Sequence, residues 1–239
     1  MKGRVALVTG ASRGIGAAVA TRFGLEGATV IAVGRTVGGL EETDDAIRSA
    51  GGRATLVPLD LKDGDGIDRL GKEIFDRYGR LDVLVGNAGT LGQLGPIGHC
   101  SPKLWEDVLS TNVTANWRLI RAFDALLRAS TAGRAMFVTS GVSRMPTPYW
   151  GSYAVSKAAL NMLARTYAAE VSNTSVKVNI IDPGVVRTSM RAEAMPGEDP
   201  ADLPHPDAIA QTFVELAAIE LERTGEIVTI DEKHKTPLS

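Results

Sequence analysis

Three side chains in the second half of the chain have the types and the spacing of an acid–base group. Ser140 closes an apolar run, and Tyr153 and Lys157 follow it four residues apart. On a helix this spacing puts the tyrosine and the lysine on one face, where the ammonium stabilises the phenolate. Bringing the phenol pKa from about 10 to neutrality requires about 4 kcal/mol of such stabilisation. The tyrosine would then protonate a carbonyl oxygen or deprotonate an alcohol, while the serine hydroxyl hydrogen-bonds the same oxygen.

A helix with a solvated lysine and a half-buried tyrosine has the same spacing, so the elements that would position these residues matter. The first is segment 4–16, an apolar run that turns at Gly10, Gly14 and Gly16 into a helical pattern. Glycines there permit a sharp turn, a close approach of backbone N–H groups to a diphosphate, and tight packing of the helix on the sheet. The helix N-terminus then points its positive dipole end at the phosphates. The alternative is a glycine-rich turn without a ligand.

Apolar runs and amphipathic patterns alternate along the rest of the chain. We predict strands over 5–9, 29–34, 54–58, 81–85, 135–140, 176–181 and 226–230. We predict helices over 15–26, 39–50, 67–78, 103–130, 153–171 and 207–218, the long one bent near residues 111–112. This alternation implies right-handed crossovers and a parallel sheet covered on both faces. The expected fold is α/β, a single doubly wound Rossmann domain of about seven strands over 1–239, with ligands at the carboxyl ends of the strands.

Composition and charge exclude several other classes of protein. The 239 residues are 44% hydrophobic and carry a formal net charge of −2, which offers no attraction for nucleic acid or an anionic membrane. Cys100 has no partner for an intrachain disulfide, and the three histidines lack metal-ligand spacing, so we expect no metal site. The apolar run after Met1 is too short for a signal peptide, and no stretch is long enough to span a bilayer. We expect a cytoplasmic protein.

The motifs occur in one order, each at a predicted strand end or in a predicted helix. They are Thr9-Gly10-x-x-x-Gly14-x-Gly16, Asn87-Ala88-Gly89, Asn112, Ser140, Tyr153-x-x-x-Lys157 and Pro183-Gly184. With this order, and with thirteen residues from Ser140 to Tyr153, the chain resembles the short-chain dehydrogenase/reductase family from Arg4 to Asp231. The resemblance implies a nicotinamide-dependent oxidoreductase with catalytic residues Asn112, Ser140, Tyr153 and Lys157. An oxidised nicotinamide would assist the lysine in lowering the phenol pKa.

The resemblance also implies a role for Asn112, which would bend its helix and order a water in a proton relay through Lys157. Lys157 would in addition hold the nicotinamide ribose hydroxyls. From the residues alone, Asn112 could equally be a helix cap or a turn residue, and Pro183-Gly184 could be a plain turn.

The resemblance implies further cofactor contacts. Asp60 and Leu61 would contact the adenine, the Asn87-Ala88-Gly89 turn would flank the cofactor, and segment 183–188 would meet the nicotinamide amide and the phosphates. The full expected cofactor-binding set is Gly10, Ser12, Arg13, Gly14, Ile15, Gly16, Arg35, Asp60, Leu61, Asn87, Ala88, Gly89, Tyr153, Lys157, Pro183, Gly184, Val186 and Thr188.

The residues at the end of the second predicted strand indicate which nicotinamide cofactor is bound. An NAD enzyme usually places an acidic residue there, about twenty residues past the glycine turn, to accept hydrogen bonds from the ribose 2′-hydroxyl. Here the position falls on Gly34 or Arg35, and the next acidic residue is Glu41. Arg35 offers a planar guanidinium to a 2′-phosphate, and Arg13 lies where a second cation could reach it. Each arginine alone could be a solvated surface charge, but the pair without a carboxylate favours NADP(H) over NAD(H).

The chain departs from the family pattern in three places. Gly86 stands where an asparagine often precedes Asn-Ala-Gly, which we interpret as a minor change outside direct contact with ligand. The ending 231–239 replaces a common Gly-Gly, so subunit contacts made by that end are not carried over. Segment 188–206 resembles a poorly characterised bacterial branch and is interpreted as a lid over a substrate that it does not identify.

The expected activity is hydride transfer between NADP(H) and a small carbonyl or alcohol substrate. An enoyl or imine reductase with the same cofactor is the alternative within the class. A cofactor-binding sensor or assembly subunit without turnover is the alternative outside it, although such a protein has no need of all four catalytic residues. From the resemblance we also expect a homodimer or homotetramer formed through helices 103–130 and 153–171.

Overall fold

The computed structural model describes residues 1–230, in which seven parallel strands form one sheet in the order β3-β2-β1-β4-β5-β6-β7. The strands are β1 (Val5–Thr9), β2 (Thr29–Gly34), β3 (Arg53–Pro58), β4 (Val83–Gly86), β5 (Arg134–Val138), β6 (Lys177–Asp182) and β7 (Ile227–Thr229). The order reverses between β1 and β4, so the chain is doubly wound. The predicted α/β Rossmann-type sheet is confirmed, and the tail 231–239 lies outside the described residues.

Eight α-helices lie within residues 1–230 and cover the two faces of the sheet. They are α1 (Gly14–Leu25), α2 (Val37–Ser49), α3 (Gly64–Tyr78), α4 (Pro102–Leu109), α5 (Ala115–Arg128), α6 (Gly151–Glu170), α7 (Ser189–Ala194) and α8 (Asp207–Leu216). None of these helices is both long and apolar enough to cross a membrane.

The core consists of two apolar clusters, one on each face of the sheet, and a buried strand such as β1 contributes side chains to both. Val5 and Leu7 belong to the cluster under α3, α5 and α6, whereas Ala6 and Val8 belong to the cluster under α1, α2 and α8. Since successive side chains of a strand point to opposite faces, a strand covered on both sides must be apolar throughout. That requirement explains the unbroken apolar run before the glycine turn.

The long predicted helix is two helices joined by a π-helical turn over Ser110–Thr114. The turn inserts one residue into the helical repeat at the predicted bend, and its side chain at Asn112 is fully buried. Such turns accompany bends in long helices. The Asn112 side chain binds the backbone of Thr90, whose N–H donates to Asn112 Oδ1 at 2.8 Å and whose carbonyl accepts from Asn112 Nδ2 at 2.9 Å.

Other boundaries differ from the predicted ones by a few residues. β5 ends at Val138 because the Ser140 carbonyl accepts the Ser143 N–H at 3.0 Å and draws the chain into a 3₁₀ turn over Gly141–Ser143. α2 begins at Val37 rather than residue 39, and Gly39 in its first turn lies so close to Ser12 that a Cβ would approach the Ser12 carbonyl oxygen to 2.5 Å. The short helix α7 was not predicted.

Glycine is required at position 86, at the end of β4, because of the side chains that surround it and not because of its backbone conformation. A Cβ there would lie 2.6 Å from Cδ1 of Phe137 and would overlap Oδ1 of Asn116 on α5. Asn116 is itself buried and donates through Nδ2 to the Asn112 carbonyl at 2.9 Å. The space that an asparagine at position 86 would use is therefore filled from α5, and the departure from the family pattern is coupled to Asn116.

Gly86→Ala should destabilise the protein by about 1–3 kcal/mol, because buried Phe137 and Asn116 must shift to admit one methyl group. Gly38→Ala is the matched control, since Gly38 lies in α2 with no atom within 4 Å of an added Cβ. There alanine should stabilise the helix by up to about 1 kcal/mol. Urea unfolding measures both, and equal effects at the two positions would contradict this account of Gly86.

Candidate active site

The site begins at the carboxyl ends of β1 and β4, where the strand order reverses. The buried Thr9 hydroxyl donates to the Val85 carbonyl at 3.1 Å and accepts the N–H groups of Asn87 at 3.0 Å and Ala88 at 3.1 Å. The Asn87 side chain donates back to the Thr9 carbonyl at 2.9 Å. The loops that leave the two strands are thereby tied at their roots and diverge above them, which opens a crevice at the sheet's switch point.

The glycine turn lines one side of this crevice. Gly10 and Gly14 have φ values of 66° and 57°, which glycine adopts without strain. A Cβ on Gly16 would overlap the Gly10 carbonyl oxygen and lie 2.5 Å from Asn87 Nδ2, so α1 packs on the turn only with glycine there. Arg13 is the N-cap residue of α1 and its side chain makes no capping hydrogen bond. The first N–H groups of α1 are thus free of side-chain caps at the crevice.

The loop after β6 closes the crevice from the opposite side. Gly184, with φ of 66°, donates its N–H to Asp182 Oδ1 at 3.2 Å, and Val186 is buried. The methyl group of Thr188 would lie 3.4 Å from a Cβ placed on Gly14, so this loop meets the glycine turn. Thr188 also caps α7, its hydroxyl accepting the Arg191 N–H at 3.1 Å.

Ser140, Tyr153 and Lys157 converge from β5 and α6 on the crevice floor. α6 starts at Gly151, so Tyr153 lies in its first turn and Lys157 one turn later, on the same face. Lys157 Nζ lies 5.6 Å from the Tyr153 ring centroid and donates to the Val138 carbonyl at 2.8 Å. The lysine is therefore held beside the phenol by the end of β5.

Together these loops enclose a cleft of about 630 Å³. Every predicted site residue lines it except Gly16 and Asn112. Gly16 lies beneath the turn and acts by letting α1 pack against it. The amide of Asn112 lies behind the cleft, bonded to Thr90 and, through Nδ2, to Ser156 Oγ at 2.9 Å. The backbone carbonyl of Asn112 accepts a hydrogen bond from Asn116 Nδ2 and keeps a second lone pair. The ordering of a water by this oxygen stays a prediction.

Motif spacing did not reveal several residues of the site. The additional lining residues include Thr36, Lys62, Thr90, Leu91, Gly92, Leu104, Asp107, Val108, Thr111, Trp150, Ser189, Met190, Arg191 and Ala194. They come from loops and from α4 and α7, where no spacing rule applies. The one available signal was the placement of 91–108 and 188–206 directly after strand ends. Among residues 1–230, no cluster of three or more His, Cys, Asp or Glu side chains is arranged to hold a metal ion.

Burial dominates the protonation of Tyr153 and Lys157. It raises the pKa of Tyr153 to about 12, the Ser140 hydroxyl opposing this and the Asp182 charge adding to it. Burial likewise lowers the pKa of Lys157 to about 8. The protein therefore shifts the phenol pKa upward, opposite to the lowering expected from the sequence, because burial disfavours the charged phenolate.

This cleft, on a doubly wound sheet, places an acid–base pair beside a glycine turn suited to a dinucleotide. A family model for short chain dehydrogenases matches residues 4–199. The chain belongs to the short-chain dehydrogenase/reductase family of oxidoreductases.

Three relatives indicate the range of similarity. The chain is 37% identical to the oxidoreductase YciK of Escherichia coli strain K12, over 92% of this chain and 88% of that protein. It is 34% identical to an NAD-dependent oxidoreductase of Mycobacterium tuberculosis strain H37Rv, over 89% of this chain and 78% of that protein. A crystal structure of a short chain dehydrogenase from Escherichia coli CFT073 complexed with NADPH matches with a TM-score of 0.90 at 36% identity, covering 96% of this chain and 97% of that one.

Because of Lys157, the free energy of unfolding should rise with pH. Its pKa is about 8 in the folded state against 10.5 for a free lysine, so between these values the unfolded state binds more protons and stability rises with pH. The cost of the buried charge is fully present below about pH 8. Between pH 7 and 9.5 the wild type should gain about 2 kcal/mol of unfolding free energy relative to Lys157→Met.

Urea titrations of both proteins across this range measure the difference. Staying below pH 10 keeps the opposite contribution of Tyr153 out of the window, because its penalty begins only where the unfolded phenol ionises. Parallel stability curves for the two proteins would show that Lys157 is not buried as a charge.

Proposed function

We propose that this oxidoreductase is NADP(H)-dependent and interconverts a carbonyl compound and its alcohol, with Tyr153 as general acid and base. The observation that carries the proposal is the convergence of Ser140, Tyr153 and Lys157 on the cleft that also receives the glycine turn and the N-terminus of α1. Folding alone does not explain a lysine at this position, since burying Lys157 costs stability.

The residues present fit a dinucleotide. The turn is closed to any Cβ at Gly10 and Gly16, yet open towards the cleft, which matches a backbone that approaches a diphosphate. The uncapped start of α1 supplies N–H donors and a positive dipole end for the phosphates. Lys157 and Tyr153 would hold the nicotinamide ribose, and Asp60 and Leu61 would contact the adenine. When bound, NADPH supplies the hydride that reduces the carbonyl carbon.

The protein's own groups handle the proton. Tyr153 is protonated at neutral pH, since its pKa lies near 12, and in that form it donates to a carbonyl oxygen. The Ser140 hydroxyl would hydrogen-bond the same oxygen and share its developing negative charge. Lys157, fixed by the Val138 carbonyl, limits the cost of forming the phenolate after the proton has left.

Two arginines support the choice of NADP(H). Arg13 and Arg35 both line the cleft, and within residues 1–230 neither forms an ion pair or a side-chain hydrogen bond with the protein. Both guanidinium groups are therefore free to bind a 2′-phosphate. The relative solved with NADPH favours the same choice, while the relative described as NAD-dependent shows that family membership alone does not decide it.

Two further features stay predictions. Segment 188–206 would act as a lid, which agrees with the position of Met190, Arg191 and Ala194 on the cleft wall. Association through α5 and α6 agrees with the exposed apolar side chains of Trp117 and Met162 on those helices.

Tyr153→Phe should reduce turnover by at least about a hundredfold, because it removes the proton donor while keeping the ring and the NADPH site. NADPH oxidation at 340 nm is followed with aldehydes, ketones, diketones, quinones, enones and imines. Tyr78→Phe is the matched control, since the buried Tyr78 hydroxyl has no hydrogen-bond partner among the described residues.

Near-normal turnover in Tyr153→Phe would contradict the assignment. Tight NADPH binding without turnover on any substrate would favour a cofactor-binding sensor, and reduction of enones or imines alone would favour the other reductase class.

Arg35→Asp should weaken NADPH binding by about 2–3 kcal/mol, a 30- to 150-fold increase in Kd, because a charged donor is replaced by a repelling carboxylate. Arg53→Asp is the control, since Arg53 is an exposed arginine at the opposite end of neighbouring β3. Calorimetric titration with NADPH and NADH measures the effect. Equal affinity of the wild type for the two cofactors would show that Arg13 and Arg35 do not read the 2′-phosphate.

A further inference from the structure

The loop between Ser140 and Tyr153 holds a strained residue that neither acid–base chemistry nor cofactor binding explains. Tyr149 has φ of 73°, and among the described residues it is the only non-glycine with a positive φ. Such a conformation costs about 1–3 kcal/mol and persists only where its surroundings enforce it. The Tyr149 carbonyl accepts the Gly95 N–H at 2.8 Å, and Gly95 pairs with Trp150 in an isolated bridge. The strain is held in place from the loop after β4.

The strained turn decides where two neighbouring aromatic side chains go. Tyr149 points outward and is 64% exposed, whereas Trp150 lines the cleft. The Trp150 ring centroid lies 6.0 Å from that of Tyr153, with 59° between the ring planes. An indole is thus placed next to the phenol that would protonate the substrate.

Several apolar side chains line the same cleft as Trp150. Leu91 and Val108 are buried, and Leu104, Met190 and Ala194 are further members of the lining. Gly92 packs against two of them, because a Cβ there would lie 2.6 Å from Cγ2 of Val108 and 3.5 Å from Cδ1 of Leu104. These side chains offer contact area to a hydrocarbon body.

The charged groups near these walls are already paired. Arg191 binds both carboxylate oxygens of Glu198, with Nε 2.7 Å from Oε2 and Nη2 on Oε1. Asp107 pairs with Lys62 at 3.0 Å. A charged substrate group placed against Arg191 or Asp107 would lose its hydration beside charges that already hold partners.

We propose that the half of the cleft lined by Leu91, Leu104, Val108, Trp150 and Met190 binds the body of a neutral apolar carbonyl compound, preferentially an aryl aldehyde or ketone. Trp150 is the specificity residue and provides the aromatic surface on which that body packs. The inference rests on the proposed function, because it assumes that the reacting carbonyl lies at Tyr153.

The test compares two benzaldehydes that differ in one para substituent, the neutral 4-methylbenzaldehyde and the anionic 4-carboxybenzaldehyde, by kcat/KM with NADPH. The methyl compound should be preferred at least about tenfold. Trp150→Ala should lower kcat/KM for it at least about tenfold, chiefly through KM, with the Kd of NADPH unchanged. Trp150→Phe should restore most of the loss. Phe75→Ala, which removes an exposed aromatic side chain on α3, should change nothing.

Each outcome bears on the inference separately from the proposed function. Preference for the carboxylate, or turnover that depends on Tyr153 but not on Trp150, would overturn the inference and leave the proposed function standing. If no carbonyl compound is reduced, the proposed function fails. Saturation-transfer NMR of 4-methylbenzyl alcohol with the NADP⁺-loaded protein then decides, since binding that Trp150→Ala abolishes supports the apolar subsite and binding that it leaves unchanged overturns it.

Discussion

The hydroxyl group of Thr9 is the contact on which the architecture of the cleft depends. It contacts three backbone groups of β4 and the turn that follows it, and it lies fully buried where the strand order reverses. Because the sheet winds in opposite directions on either side of this point, the loops from β1 and β4 leave it on opposite faces. The glycine turn and the asparagine turn take their positions from this junction, whereas Lys157 is held by the end of β5.

The second constraint is desolvation. The proposed acid–base chemistry requires a cleft that excludes water, and the same exclusion pushes Tyr153 and Lys157 towards their neutral forms. The protein meets the cost of burying Lys157 with a backbone carbonyl rather than a carboxylate. A carboxylate partner would hold the lysine more firmly but would also oppose formation of the phenolate, as the charge on Asp182 already does.

The sequence predicts those features of the fold and the site that depend on neighbouring residues, and it does not predict those that depend on contacts between residues distant in sequence. The sheet, the helices and the lining by Gly10, Tyr153 and Lys157 were predictable from apolar periodicity and from short spacings, which are local properties. The packing of Asn116 against Gly86 is not local, since the two residues lie thirty positions apart in the chain. The Asn116 side chain fills the space that a side chain at position 86 would need. The phenol pKa also escaped prediction, because burial is a property of the whole cleft.

The π-helical turn over Ser110–Thr114 has a consequence for how this protein can diverge. One extra residue in a helical repeat rotates the helix before it by about 100° relative to the helix after it. The turn therefore sets the angular phase between α5, which packs in the core, and α4, which supplies Leu104 and Val108 to the cleft. Loss of a single residue there would turn a different face of α4 towards the cleft and carry the buried Val108 side chain out of its packing. The lining of the cleft and the packing beneath α4 are thus tied to the length of one helical turn.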